Sequence, residues 1–174
     1  MEKRCVLLFS GGFDSTVLLN YLVKNGYEVD CLFFDYMQRN YKEELWSVAY
    51  WIEKFRTKFV SIHLPEFTWS KSTLYIENGN FDDYLEMRNL IFLSYAISYA
   101  ESQGIPTVFL GIINVGDYLK DTSPRFIYAM DFLAYSLLDI SVEAPFIHMQ
   151  KEEVAEFCLE NALPLKEILE NTFS

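Results

Sequence analysis

"VLLFSGGFDST", Val6 to Thr16, runs four apolar residues and a serine into two glycines, then a carboxylate and two hydroxyls. The apolar run reads as a short strand, Arg4–Phe9. Two glycines after a strand let the backbone turn sharply and bring N–H groups close to a ligand without Cβ interference. A helix starting at Asp14–Thr16 adds its free first-turn amides and its positive end. Together these make an anion site, with Asp14 as a candidate N-cap and Ser15 and Thr16 as hydroxyl donors. The same letters also suit a plain strand–turn–helix connection, since Gly, Ser and Asp are common in turns. The stretch is neither a Walker loop nor a GxGxxG fingerprint.

Outward from this point the pattern alternates. Asp14–Lys24 is a predicted helix ending near Gly26, and Glu28–Phe34 a second strand bounded by Asp35. Tyr41–Phe55 carries Leu45, Val48, Ala49 and Ile52 at helical spacing. Phe59–His63 is a third strand, and Leu64–Glu86 a mixed loop with Asn78-Gly79-Asn80 as its turn signal. Leu90–Glu101 is helical and apolar on nearly all sides, so burial is expected, with Ala96 and Ala100 one turn apart. Thr107–Leu110 is a fourth strand ending at Gly111, and Ile112–Ser123 a second polar loop. Pro124 opens a helix reaching about Leu138. Ile140–Ala144 is a fifth strand and Lys151–Asn161 a helix.

Strands alternating with helices predict an α/β fold: a doubly wound parallel sheet of about five strands, Rossmann-like, with helices on both faces. Residues 1–174 are expected to form one domain. Ligands of such sheets gather at the carboxyl ends of the strands. That edge should carry Ser10–Thr16, Asp35–Asn40, the loop before Arg88 and Gly111–Asp121.

Composition narrows the classes. Of 174 residues, 51% are hydrophobic and 22% charged, which excludes a disordered chain. Aromatics make up 17%, enough for a core and for a stacking pocket or an oligomer interface. With no apolar run of membrane-span length and no signal-peptide pattern, the cytoplasm is the expected compartment. The formal charge of −11 argues against general nucleic-acid binding, though a local amide cradle still suits a small phosphate ligand. Cys5, Cys31 and Cys158 lie far apart with no CxxC pair, so buried free thiols are expected. His63 and His148 lack metal-ligand spacing and read as structural.

The SGGxDS stretch Ser10–Ser15 resembles the signature of the PP-loop, or N-type, ATP pyrophosphatases. Further segments resemble the 7-cyano-7-deazaguanine synthases within that superfamily. Phe33–Ala49 (FFDYMQRNYKEELWSVA) is similar to FDYGQRH…EL…A, and Glu86–Ser102 (EMRNLIFLSYAISYAES) to PGRN-L and its helix. Phe109–Tyr118 (FLGIINVGDY) is similar to G-x-N-x-x-D, Asp121–Phe126 (DTSPRF) more loosely to DCRPEF, and Ala144–Val154 to Pro-…-K-x-E. The matches run in order over nearly the whole chain.

The resemblance implies an ATP-dependent carbon–nitrogen ligase. ATP and Mg2+ adenylate a 7-carboxy-7-deazaguanine, ammonia gives the amide, and a second activation gives the nitrile. By position, Ser10, Gly11, Gly12, Asp14, Ser15 and Thr16 would hold pyrophosphate, with Gln38 and Arg39 nearby at the end of the second strand. Asp14 is also a candidate Mg2+ ligand. Arg88, Asn89, Tyr118 and Asp121 would face the substrate, and Asp117 and Lys151 would join Asp14 in catalysis. Each has a blander reading: Arg39 among Lys42, Glu43 and Glu44 as a solvated helix face, Arg88 paired with Glu86 or Asp83, and Tyr36 and Phe34 as core. A homodimer or a protein partner is also implied.

The chain departs from the family pattern in places. T-W-S-C-Y and a four-cysteine zinc site are replaced by Asn171-Thr172-Phe173-Ser174, so no zinc is expected in this chain. Met37 stands for a glycine, Asn40 for a histidine, Thr122-Ser123 for Cys-Arg and Arg125 for a glutamate. A truncated chain, a short member making the nitrile, and a relative passing the activated base to a protein or nucleic acid, as in anti-phage systems, all fit. A non-catalytic nucleotide-binding subunit is the alternative of a different class.

Overall fold

The computed structural model describes residues 3–68, 70, 85–113 and 120–173. Their strands are β1 (Lys3–Leu8), β2 (Tyr27–Asp35), β3 (Lys58–His63), β4 (Thr107–Leu110) and β5 (Ser141–Glu143). All pairs are parallel, in the order β3-β2-β1-β4-β5. The register sets Leu8 opposite Leu32 on one side and Leu110 on the other. Val29 to Phe34 are buried without a break, as expected of a strand covered on both faces.

Alternation along the strands divides the core in two. Cys5, Leu7 and Phe9 of the first strand region and Cys31 and Phe33 of β2 face one layer. There they meet α1 (Phe13–Lys24), α2 (Tyr41–Phe55), α5 (Lys151–Glu160) and α6 (Leu165–Glu170) through Leu18, Trp51, Cys158 and Ile168. Val6, Leu32 and Phe34 face the other layer, α3 (Arg88–Gln103) and α4 (Pro124–Leu138), through Phe92, Ala96, Ala100, Met130 and Ala134. The expected doubly wound sheet is therefore the observed one. No described helix is long and apolar enough to cross a membrane.

Local expectations needed four corrections. The first helix begins at Phe13 with Gly12 as N-cap, so Asp14 lies inside the first turn rather than capping it. The inward stripe of α2 is Ser47, Val48 and Trp51, whereas Ala49 is exposed. Helix α3 is not buried all round: it packs on the sheet along Phe92, Leu93, Ala96, Ile97 and Ala100, leaving Leu90, Ser94, Tyr95 and Ser98 outward. Helix α6 was unforeseen; after Pro164 it has six residues and buries only Ile168, too little for a periodic signal. The Asn78-Gly79-Asn80 turn lies outside the described residues.

One charged residue is wholly buried in the sheet. Asp30 of β2 accepts a hydrogen bond from Tyr99 Oη at 2.7 Å and lies 3.2 Å from Lys58 Nζ and 3.7 Å from Arg4 Nη2. These partners tie β1, β2, β3 and α3 together in the amino-terminal half of the sheet.

At the carboxyl end, Gly111 passes the start of α1 so closely that an added Cβ would lie 2.6 Å from Ser15 Cα and 2.7 Å from its amide nitrogen. Neither is a side chain able to swing away, so the chain leaving β4 can pass the start of α1 this closely only with glycine at that point. Gly111→Ala is expected to cost about 1–3 kcal/mol through overpacking, seen as a lower urea midpoint at unchanged m-value.

Candidate active site

The strand order reverses between β1 and β4, so the crevice at their carboxyl ends is the topological switch point of the sheet. Two loops converge there, Phe9–Gly12 from β1 and Gly111–Ile113 from β4. Gly11 adopts φ +76°, and a Cβ on it would come within 2.9 Å of the Glu44 carbonyl oxygen. The Gly11 carbonyl oxygen lies 2.7 Å from the Ser47 hydroxyl, which is also 2.8 Å from the Asn171 carbonyl. Trp51 Nε1 donates to that same Asn171 oxygen at 3.0 Å, and Phe173 bridges to Gly12 as a short parallel strand contact.

Within the turn, the Gly12 amide donates to Ser10 Oγ at 3.3 Å, and the Ser15 hydroxyl donates to the Gly12 carbonyl at 3.0 Å. The amides of the first helical turn have no intrahelical acceptor. In this turn Asp14 Oδ1 and Thr16 Oγ1 are buried without a hydrogen-bond partner, as are Arg4 Nε and Asp30 Oδ1 elsewhere among the described residues. Burial holds the Asp14 carboxyl above the usual carboxylate range, and nearby Lys151 pulls it partly back. An orphaned carboxylate oxygen beside free amides fits a polyphosphate with its divalent cation. Among the described residues no group of three or more His, Cys, Asp or Glu could hold a metal by itself.

Beside the turn opens a cleft of about 230 Å3. Its floor is the ends of β1, β2 and β4, and its walls include Tyr36, Glu44 of α2, and Arg88, Asn89 and Phe92 of α3. Phe34 and Phe92 stack at 4.2 Å, and Tyr36 lies 5.4 Å from Phe92. Arg88 donates to Tyr36 Oη at 2.9 Å, with its guanidinium above the Tyr36 and Phe92 rings. Burial raises the Glu44 carboxyl above its ordinary range; Gln38 and Arg88 oppose that shift.

The sequence candidates divide into groups here. Ser10, Ser15, Arg88 and Asn89 line the cleft directly. Gln38 is buried and fully engaged: its Oε1 accepts from the Tyr36 amide, and its Nε2 donates to the Phe34 carbonyl and to Glu44. Arg39 is exposed. Asp121 is buried, accepting the Asn89 amide at 2.8 Å and so capping α3. Lys151 sits exposed at the start of α5, within electrostatic reach of Asp14 but outside the cleft wall. Asp117 and Tyr118 lie outside the described residues. His63 pairs with Asp35 at the surface, and His148 is exposed. Burial pushes the Cys5 and Cys31 thiols up to about 12, making them poor nucleophiles.

A family model for "Queuosine biosynthesis protein QueC" matches residues 4–174. The chain belongs to the QueC family. A 7-cyano-7-deazaguanine synthase 1 of Desulfitobacterium hafniense (strain Y51) is 32% identical to this QueC-family chain, covering 99% of it and 82% of the relative. The 7-cyano-7-deazaguanine synthase of Acetivibrio thermocellus is 35% identical over 94% of this chain and 81% of its own length. Two solved structures share the fold. They are the U34-tRNA thiolase NcsA of Methanococcus maripaludis (TM-score 0.60, 15% identity, 99% of this chain and 59% of that one) and the NMN synthetase of Francisella tularensis (TM-score 0.55, 18% identity, 99% and 66%).

Met37, standing where the family resemblance has glycine, has φ +64° and is 61% exposed. The left-handed conformation that glycine adopts most readily is carried here by a methionine. Sequence reasoning missed Glu44 and Ser47. Glu44, Ser47, Val48 and Trp51 are spaced i, i+3, i+4, i+7, which puts Glu44 on the inward face of α2; reading that face through Leu45 and Ala49 hid it.

The raised Asp14 carboxyl has a stability consequence. The folded state binds its proton more tightly than the unfolded chain, so the ionised form costs stability at neutral pH. That cost fades as pH falls through the folded-state value and is gone below the unfolded value of about 3.9. Asp14→Asn should therefore raise Tm without ligand at neutral pH, with a gain that vanishes in acid; thermal melts across pH check this.

Proposed function

We propose that this chain adenylates the carboxylate of a 7-carboxy-7-deazaguanine with ATP, releases pyrophosphate and transfers the activated carbon to ammonia. In the first step a substrate carboxylate oxygen attacks the α-phosphorus and the bond to pyrophosphate breaks. Ammonia then displaces AMP to give the amide. A second activation at the amide oxygen, with loss of a second AMP, leaves the nitrile. The observation that carries this reading is the glycine turn with its orphaned Asp14 oxygen, at the switch point of a QueC-family chain.

Activation is needed because a carboxylate would have to expel oxide, whereas AMP is a good leaving group. The first-turn amides of α1, with Ser10, Gly11, Gly12, Ser15 and Thr16, hold the pyrophosphate portion and so stabilise charge on the leaving side. Asp14 Oδ1 is the protein oxygen that would ligate Mg2+, which when bound screens the phosphates. Lys151 adds positive charge near Asp14. Arg88 and Asn89 orient the base against Phe34 and Phe92, and Asp121 acts by holding the start of α3. Gln38 shapes the loop after β2, Arg39 approaches phosphate from solvent, and Asp117 and Tyr118 are assigned to catalysis and substrate by their match to the G-x-N-x-x-D segment.

ATP supply and the reduced state of Cys5, Cys31 and Cys158 support a cytoplasmic site of action. A homodimer or a protein partner belongs to the same reading; exposed Tyr128, Phe132, Leu133 and Leu137 on α4 support it.

The test is ATP–pyrophosphate exchange dependent on the carboxylated base, followed by mass spectrometry with ammonia. Exchange and a nitrile product are expected; an adenylate conjugated to protein instead would redirect the proposal. Asp14→Ala should abolish exchange while the fold persists by circular dichroism. Arg88→Ala should raise KM for the base on the order of 10–100-fold, the worth of one charged hydrogen bond, with little change in KM for ATP.

A further inference from the structure

Glu44 is the acidic residue of the cleft wall, and no role in the reaction described above uses it. Its carboxylate is half-buried. Oε2 accepts from Gln38 Nε2 at 2.8 Å, while Oε1 has no hydrogen-bond partner among the described residues. Gln38 is itself locked by the Tyr36 amide at 2.9 Å and the Phe34 carbonyl at 3.0 Å, so the Glu44 head is aimed by the backbone at the end of β2. Arg88 shares the cleft but gives its hydrogen bond to Tyr36 and closes no ion pair with Glu44. The cleft therefore holds a fixed carboxylate, partly stripped of water and half-satisfied, beside a flat aromatic wall.

Such a group calls for donors. A carboxylate accepts only, with about four lone-pair sites on its two oxygens. A flat heterocycle presenting a ring N–H and an adjacent exocyclic amino group offers two parallel donors, which matches two carboxylate oxygens. An adenine-type edge offers one amino group beside a ring-nitrogen acceptor, which would set lone pair against lone pair.

We propose that Glu44 determines substrate specificity by accepting the ring N–H and 2-amino donors of a guanine-type base seated against Phe34 and Phe92. The base then takes the place of water on the free oxygen, and bases lacking the amino donor bury that oxygen without a partner. The assignment deepens the functional reading above and rests on it.

Equilibrium binding on the full chain provides the test, using 7-carboxy-7-deazaguanine and its 2-desamino analogue. The wild-type chain should bind the amino form on the order of 10–100-fold more tightly, the range expected when a hydrogen bond to a charged group is lost. Glu44→Gln, which presents an NH2 to the donors, should weaken the amino form by a similar factor and erase most of that preference. Its KM for ATP in pyrophosphate exchange should stay near wild type, and its Tm should stay at or above wild type.

Equal binding of the two bases by the wild-type chain overturns the proposal without recourse to any variant. So does a folded Glu44→Gln protein that keeps the preference. In either case, base-dependent exchange by the wild-type chain would leave the adenylation reading standing. A wild-type chain that binds neither base and shows no exchange would remove both.

Discussion

The architecture of the cleft depends on a steric limit: the backbone at residue 111 and the first turn of α1 are closer than any Cβ allows. That proximity lets the loops from β1 and β4 meet where the strand order reverses. It aims the start of α1 into the crevice and leaves room beside it for Arg88 and Phe92. A bulkier residue would push the two loops apart, and the amides of the first turn would no longer face the cleft. Packing below, from Leu7, Leu18 and Trp51, holds the helix against this contact from the other side.

Two carboxylates, each with a buried oxygen, show how differently the fold treats charge. Asp30 has Tyr99, Lys58 and Arg4 around it, and it joins three strands to a helix. Asp14 likewise has an oxygen with no hydrogen-bond partner, and nearby Lys151 only partly offsets the effect of its burial. The first is offset by cations within the chain, although Asp30 Oδ1, 3.7 Å from Arg4 Nη2, also makes no hydrogen bond. The second forms no ion pair among the described residues, which leaves it open to a cation or a donor from outside.

The parallel sheet, its helices and the glycine turn could be read from the sequence because each rests on local pattern. Apolar runs ended at turn residues, and Pro124 and Lys151 opened helices where expected. Residues whose role depends on partners far along the chain were harder. Asp121 looked like a loop carboxylate until it was seen capping α3, and Gln38 looked like a ligand until its three hydrogen bonds were seen inside its own loop. Glu44 was misread for a different reason. Its neighbours Lys42 and Glu43 are exposed, and one charged residue in three turning inward leaves little mark on a hydropathy pattern.

The glycine turn looks like the most local element of the protein, eleven residues read at a glance. Its geometry is in fact a long-range product. The Gly11 carbonyl is held by Ser47, and Ser47 and Trp51 in turn hold the Asn171 carbonyl, contacts spanning 36, 124 and 120 positions in the chain. During synthesis the turn will therefore emerge early but reach its final shape late, after residues 171–173 have left the ribosome and closed against α2. The turn should thus take its final shape only once residues 171–173 have packed against α2, well after its own eleven residues are made.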